Sequence, residues 1–175
     1  AGKATMSPTL RKISRFWGEV CRAVLIAADS QKSFGVGWMF DSEFRDGEYR
    51  TTEGEYVRAE GRDWLQLNPY RGGNIVEGEL FKLRSDADLK WIFGIAGHEC
   101  AHLTDGQGGH DEGYARELTE LIAKSADVPK FLRKIRDAVV KRPAGWKPAP
   151  KVVKVKAPKF KEDLESRVVE LEKDF

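Results

Sequence analysis

All three histidines of this 175-residue chain lie within thirteen consecutive residues. His98 and His102 are four positions apart in the segment His-Glu-Cys-Ala-His, and His110 follows a short stretch that contains glycines. In an α-helix, residues four apart lie one turn apart on the same face, so both imidazoles can reach one ion. If residues 98–102 are helical, this spacing predicts a metal centre on that helix.

Glu99 follows the first of these histidines and completes the pattern His-Glu-x-x-His. Neutral imidazoles are good ligands for zinc, and a catalytic zinc site with three protein ligands keeps a fourth position for water. A carboxylate beside that water can take its proton and pass it to a leaving amine, while the ion polarises the scissile carbonyl. We therefore predict a Zn²⁺ cofactor held by His98 and His102, with Glu99 as the catalytic general base.

The third ligand is expected to come from the segment after the motif helix. Three glycines within residues 106–109 allow the backbone to reverse, which brings His110 back toward the ion. His110 is the preferred third metal ligand, and the carboxylates of Asp111, Glu112 and Glu117 are the alternatives. Asp111 is otherwise expected to accept a hydrogen bond from a ligand imidazole and fix its tautomer.

Apolar residues that recur at three- and four-residue steps predict four helices. The first begins at Pro8 behind an N-cap at Ser7, and the second begins after a capping box at Ser85 and runs into the motif. The third extends to about Ala126, and the fourth follows Pro129.

Alternating apolar residues predict a strand at 34–40 and two short strands at 56–60 and 64–68. The polar stretch around Gly47 and Gly54 is expected to be turn or loop. This order of elements predicts an α+β fold. The strand at 64–68 is expected to lie at an exposed sheet edge, where an extended substrate can add as a further strand.

The stretch from His98 to Tyr114 resembles the SprT-like and WLM-type zincin metallopeptidases. In those families, His-Glu-x-x-His is followed by a third histidine, a small or acidic residue and an aromatic one, and His110, Asp111 and Tyr114 match that tail. The resemblance implies a zincin-like domain with an N-terminal helix, a small mixed sheet, the active-site helix and further helices. It also implies that residues 64–69 form the strand preceding that helix, and that the substrates are proteins associated with DNA.

Two other side chains near the motif are expected to have structural roles. Cys100 is interpreted as a small buried apolar residue and not as a ligand or reactive thiol. Tyr114 lies on an apolar helical face, which favours packing in the core over a hydrogen bond to an oxyanion.

The preferred function is zinc-dependent hydrolysis of peptide bonds in protein or peptide substrates. One alternative is a gluzincin-like regulator peptidase that cleaves a single partner and uses Glu112 or Glu117 as its third ligand. The other alternative is a non-catalytic protein in which zinc stabilises an interaction domain.

Composition changes near residue 141, so the metallopeptidase domain is expected to span residues 1–141. Residues 142–161 are predicted to be a basic linker rich in proline and lysine. From 141 to 161 there are eight Lys or Arg and no Asp or Glu, which makes this segment a candidate nucleic-acid contact. Residues 162–175 are predicted to be an amphipathic helical tail that meets a coiled-coil partner or starts a longer coiled coil.

The charge and cysteine content exclude some protein classes. A net charge of +2 is too small for a strongly basic nucleic-acid binder of the histone kind. Two well-separated cysteines do not describe a disulfide-stapled secreted scaffold. With no signal-like start and no apolar run of the roughly 18 residues that a spanning helix needs, we expect a cytoplasmic protein without a membrane segment.

Overall fold

The computed structural model describes four stretches of the chain: residues 7–40, 43–71, 78–106 and 108–141. Within them the chain forms four α-helices, one 3₁₀ turn and five strands, which confirms the predicted α+β class. The predicted linker at 142–161 and the predicted tail at 162–175 lie outside the described residues.

In the described part of the chain, the five strands all lie between the first and second helices. The elements are α1 Pro8–Ala27, β1 Gly35–Trp38, β2 Glu43–Arg45, β3 Glu48–Arg50, β4 Gly54–Ala59, β5 Arg62–Leu67, α2 Asp86–Asp105, α3 Glu112–Lys124, the 3₁₀ turn Val128–Lys130 and α4 Leu132–Lys141. Among the described residues, none of the helices combines the length and the apolar character needed to cross a membrane.

Helix α1 forms where its sequence signals predict and occupies the centre of the core. The Ser7 hydroxyl accepts a hydrogen bond from the Leu10 N–H at 3.2 Å, and Pro8 occupies the first position, where an N–H would have no helical partner. The apolar face is fully buried at Phe16 and Trp17. The Trp17 indole N–H donates to the Leu65 carbonyl at 3.1 Å, which joins α1 to β5.

The main sheet has three strands in the order β1-β5-β4, with β1 parallel and β4 antiparallel to β5. The prediction that residues 64–68 form an exposed edge was therefore wrong, because β5 is the central strand. Its Leu65 and Leu67 are fully buried, as expected for a strand with neighbours on both sides. Strand β4 lies at an edge and is joined to β5 by a two-residue turn, Glu60 and Gly61, which both have positive φ.

The polar stretch around Gly47 and Gly54 is not only loop, so that prediction was partly wrong. Strands β2 and β3 form a separate hairpin there, with Asp46 and Gly47 at positive φ in the turn. All three residues of β2 are exposed, so the hairpin lacks the half-buried alternation from which a strand is recognised. Gly54 is the first residue of β4.

Helix α2 begins and ends at residues that satisfy its free backbone groups. The Ser85 hydroxyl accepts from the Asp88 N–H at 3.1 Å, and Gly106 ends the helix in the left-handed conformation at φ 77°. The helix packs against α1, α3 and β4, so its motif turn lies between the first helix and the edge of the sheet.

Gly94 and Gly97 allow a test of this packing. A Cβ at exposed Gly94 meets no atom, so Gly94→Ala is expected to stabilise the protein by about 0.5–1 kcal/mol through helix propensity. Gly97→Ala gains the same propensity, but its Cβ lies 2.6 Å from Ile122 Cδ1, so the net gain should be smaller. Urea denaturation of the two variants measures the difference. A larger gain for Gly97→Ala would contradict the close packing of α2 on α3.

Candidate metal centre

Two adjacent helix ends assemble the three histidines. His98 and His102 are one turn apart on α2, and the turn that starts at Gly106 leads back to His110, just before α3. Asp111 is the N-cap of α3, where its carboxylate accepts a hydrogen bond from the Tyr114 N–H at 2.9 Å. The capped start of α3 therefore places His110 opposite the histidines of α2.

The three imidazoles converge through the same ring nitrogen. Nε2 of His110 lies 3.2 Å from Nε2 of His102 and 3.2 Å from Nε2 of His98. The ligand atoms of the three residues all lie within 4.8 Å of one another. Two nitrogens bound tetrahedrally to zinc at about 2.0–2.1 Å are separated by about 3.3 Å, so the observed spacing fits such an ion.

Hydrogen bonds between the rings do not explain both short Nε2 contacts of His110. A neutral imidazole carries a single N–H, so Nε2 of His110 can donate to His98 or to His102 but not to both. Burial lowers the pKa of His98, and the neighbouring His102 and His110 lower it further, so the neutral form that binds metal is favoured. Together these three histidines can hold a metal ion.

Glu99 lies beside the cluster and is almost completely buried, with 3% of its surface exposed. Its Oε1 is 3.9 Å from Nε2 of His98. Burial raises the pKa of Glu99 to about 7, and the charge of Glu55 raises it as well, whereas a hydrogen bond donated by the Tyr56 backbone N–H lowers it. The Glu99 carboxyl group, which lies beside the converging histidine nitrogens, thus changes its protonation state near neutral pH.

Gly54 allows β4 to approach this carboxylate. A Cβ at this position would lie 2.6 Å from Ile95 Cγ2 and 3.1 Å from Oε1 of Glu99. Sequence reasoning placed Gly54 in a loop and gave it no role in the site. A glycine between polar residues carries no local signal that it faces a carboxylate 45 positions along the chain.

Tyr114 is buried, as expected, but its hydroxyl does more than pack. The phenol ring stacks on His102 with a centroid distance of 4.2 Å and an interplanar angle of 22°. Its Oη lies 2.7 Å from Nδ1 of His98, a contact that sequence reasoning missed. Burial, and then the charge of Glu99, raise the pKa of Tyr114 to about 12.

The carboxylates considered as alternative third ligands are not part of the histidine cluster. Asp111 caps α3, and within the described stretches the group able to hold a metal comprises the three histidines without Asp111, Glu112 or Glu117. Cys100 is fully buried, as expected, and its thiol lies 3.7 Å from the Cys21 carbonyl.

No family model, curated protein or solved structure matches this chain. Support for a function therefore comes from the geometry of the site.

The wild-type chain is expected to bind one Zn²⁺, and removal of any histidine of the cluster should weaken that binding. We expect His98→Ala, His102→Ala and His110→Ala each to lose more than the roughly 10–100-fold in affinity that loss of an outer hydrogen-bonding partner typically costs. Calorimetric titration in competition with a chelator measures the affinities. Glu112→Gln and Glu117→Gln are the controls and should bind as the wild type does. Unchanged affinity in His110→Ala, with a loss in Glu117→Gln, would assign the third ligand to α3.

Proposed function

We propose that this protein is a zinc-dependent metallopeptidase of the zincin type that hydrolyses peptide bonds in protein substrates. The observation that carries the proposal is the convergence of three Nε2 atoms with the buried Glu99 carboxylate beside them. A donor set of three imidazoles favours zinc and leaves a fourth position for water. Structural zinc sites are instead closed by four protein ligands, so the three-histidine set favours catalysis over a purely stabilising role.

Glu99 is the residue that moves protons in this proposal. Zinc, when bound, supplies a Lewis acid that polarises the scissile carbonyl and acidifies water. The Glu99 carboxylate lies beside Nε2 of His98, where it can accept a proton from the attacking water and deliver it to the leaving amine. The Tyr56 N–H holds this carboxylate in place, which limits the orientations from which the transfer occurs.

The edge of β4 that faces away from β5 is the proposed site for the substrate backbone. Ala59 and Arg62 flank the two-residue turn and form a hydrogen-bonded pair, so Tyr56 and every second residue along β4 turn their backbone groups away from β5. The Tyr56 N–H donates to Glu99, so this edge of β4 leads directly to the general base. An extended peptide that pairs with β4 thus passes the metal centre, which moves the expected strand addition from β5 to β4.

The general base is tested by Glu99→Gln, which keeps the shape of the side chain and removes its basicity. We expect hydrolysis of unfolded casein to fall about 100-fold or more, because that is the usual contribution of a positioned acid-base group. The variant should still bind zinc, since Glu99 lies outside the three-nitrogen cluster. Glu112→Gln, an exposed position on α3, is the matched control. Full activity in Glu99→Gln would exclude Glu99 as the base.

The approach of β4 to Glu99 is tested by Gly54→Ala. The added Cβ cannot fit beside Ile95 and Glu99 without displacing the strand or the carboxylate. Casein hydrolysis is expected to fall by about 10- to 100-fold, the effect of a displacement near 1 Å in a catalytic geometry. Gly94→Ala is the control for a glycine replacement that meets no neighbour. If Gly54→Ala and Gly94→Ala were equally active, the edge of β4 would have no part in catalysis.

A further inference from the structure

The hydroxyl of Tyr114 makes a contact that packing alone does not require. A phenylalanine ring would fill the same space and stack on His102 equally well, since the ring supplies that contact. Tyr114 is nevertheless buried, with only 4% of its surface exposed, and its hydroxyl oxygen lies 2.7 Å from Nδ1 of His98. A buried tyrosine hydroxyl normally has a hydrogen-bond partner, and Nδ1 of His98 occupies that place.

The chemistry of imidazole gives this contact a direction. His98 faces the cluster with Nε2, which must carry a lone pair to bind a cation. With a cation at Nε2, the proton of the neutral ring resides on Nδ1, so the Nδ1–H would donate to Oη of Tyr114, which lies 2.7 Å away. A hydrogen bond at the second nitrogen of a ligand histidine selects its tautomer and fixes the plane of its ring.

An anchor matters at His98 because its ring is less buried than that of His102. Its side chain is 41% exposed, so packing restrains the ring on one side only. His102, by contrast, is buried and stacked against the Tyr114 ring. Asp111 in turn accepts from the backbone N–H of Tyr114, so the cap of α3 fixes the residue that reaches His98.

We propose that Tyr114 is a positioning residue whose hydroxyl accepts the Nδ1–H of His98 and holds Nε2 of that ring ready for the metal ion. The inference rests on the proposed function, because it assigns His98 as a metal ligand. It replaces the oxyanion role considered for Tyr114, since the hydroxyl is engaged at Nδ1 and not directed to the converging nitrogens.

Tyr114→Phe tests this role because it removes the oxygen and keeps the ring. In the full chain, Zn²⁺ affinity measured by chelator competition is expected to fall about 10- to 100-fold, the usual effect of losing a partner of a ligand histidine. Tyr70→Phe, which removes a tyrosine hydroxyl outside the site, should leave the affinity unchanged. Thermal unfolding of both variants, followed by circular dichroism, reports whether each variant remains folded.

The tautomer of His98 supplies a readout that a general packing defect would not change. Long-range ¹H–¹⁵N spectra of the metal-free wild type, with the ring neutral, should show His98 protonated at Nδ1, and Tyr114→Phe should lose that preference. An unchanged tautomer in Tyr114→Phe would overturn the proposal, whether or not the affinity falls, and so would unchanged zinc affinity. Failure of the wild type to bind zinc would instead refute the proposed function, while the spectra would still report the link between Tyr114 and His98.

Discussion

The packing of α2 against α1, α3 and β4, its main neighbours, is the constraint on which both the fold and the site depend. This helix contacts α1, α3 and β4, and its buried positions around the motif include the small residues Ala96, Gly97 and Ala101. Small side chains allow the neighbouring elements to approach closely, as at Gly97, where a Cβ would lie 2.6 Å from Ile122 Cδ1. Because a packed interior tolerates little displacement, the positions of α3 and β4 relative to the motif turn are set by the core itself. The histidine cluster therefore lies on a rigid surface of the hydrophobic core.

Burial also shifts the pKa values of Glu99 and His98, and a bound cation would act on the protonation of both groups. Burial raises the pKa of Glu99 and lowers that of His98, so the charged forms of both groups are disfavoured. The Tyr56 N–H offsets part of this effect at Glu99. A cation between the imidazoles binds their neutral form and attracts the ionised carboxylate, so it would favour at once the protonation states needed for ligation and for proton acceptance.

The parts of the fold that could be predicted are those encoded by residues close together in the sequence. The helix at Pro8 and the cap at Ser85 appear where expected, because an N-cap hydrogen bond spans three residues and is encoded in adjacent positions. The third helix ends at Lys124, close to the predicted end. Strands were predicted less well, because alternation marks a strand without identifying its neighbours. The hairpin of β2 and β3 is too exposed to show even that pattern.

The sequence by itself determined the pair His98 and His102 on one helical face, with Glu99 between them, since helical periodicity places residues four apart together. The sequence also places His110 close enough to meet the other two histidines, because few residues separate it from the helix end at Gly106. Its resemblance to SprT-like and WLM-type enzymes stays a prediction. Only the tertiary structure decided that β4 and not β5 forms the edge beside Glu99, and that the Tyr114 hydroxyl meets Nδ1 of His98. These contacts join separate elements, and their geometry follows from how the core packs, which no short stretch of sequence encodes.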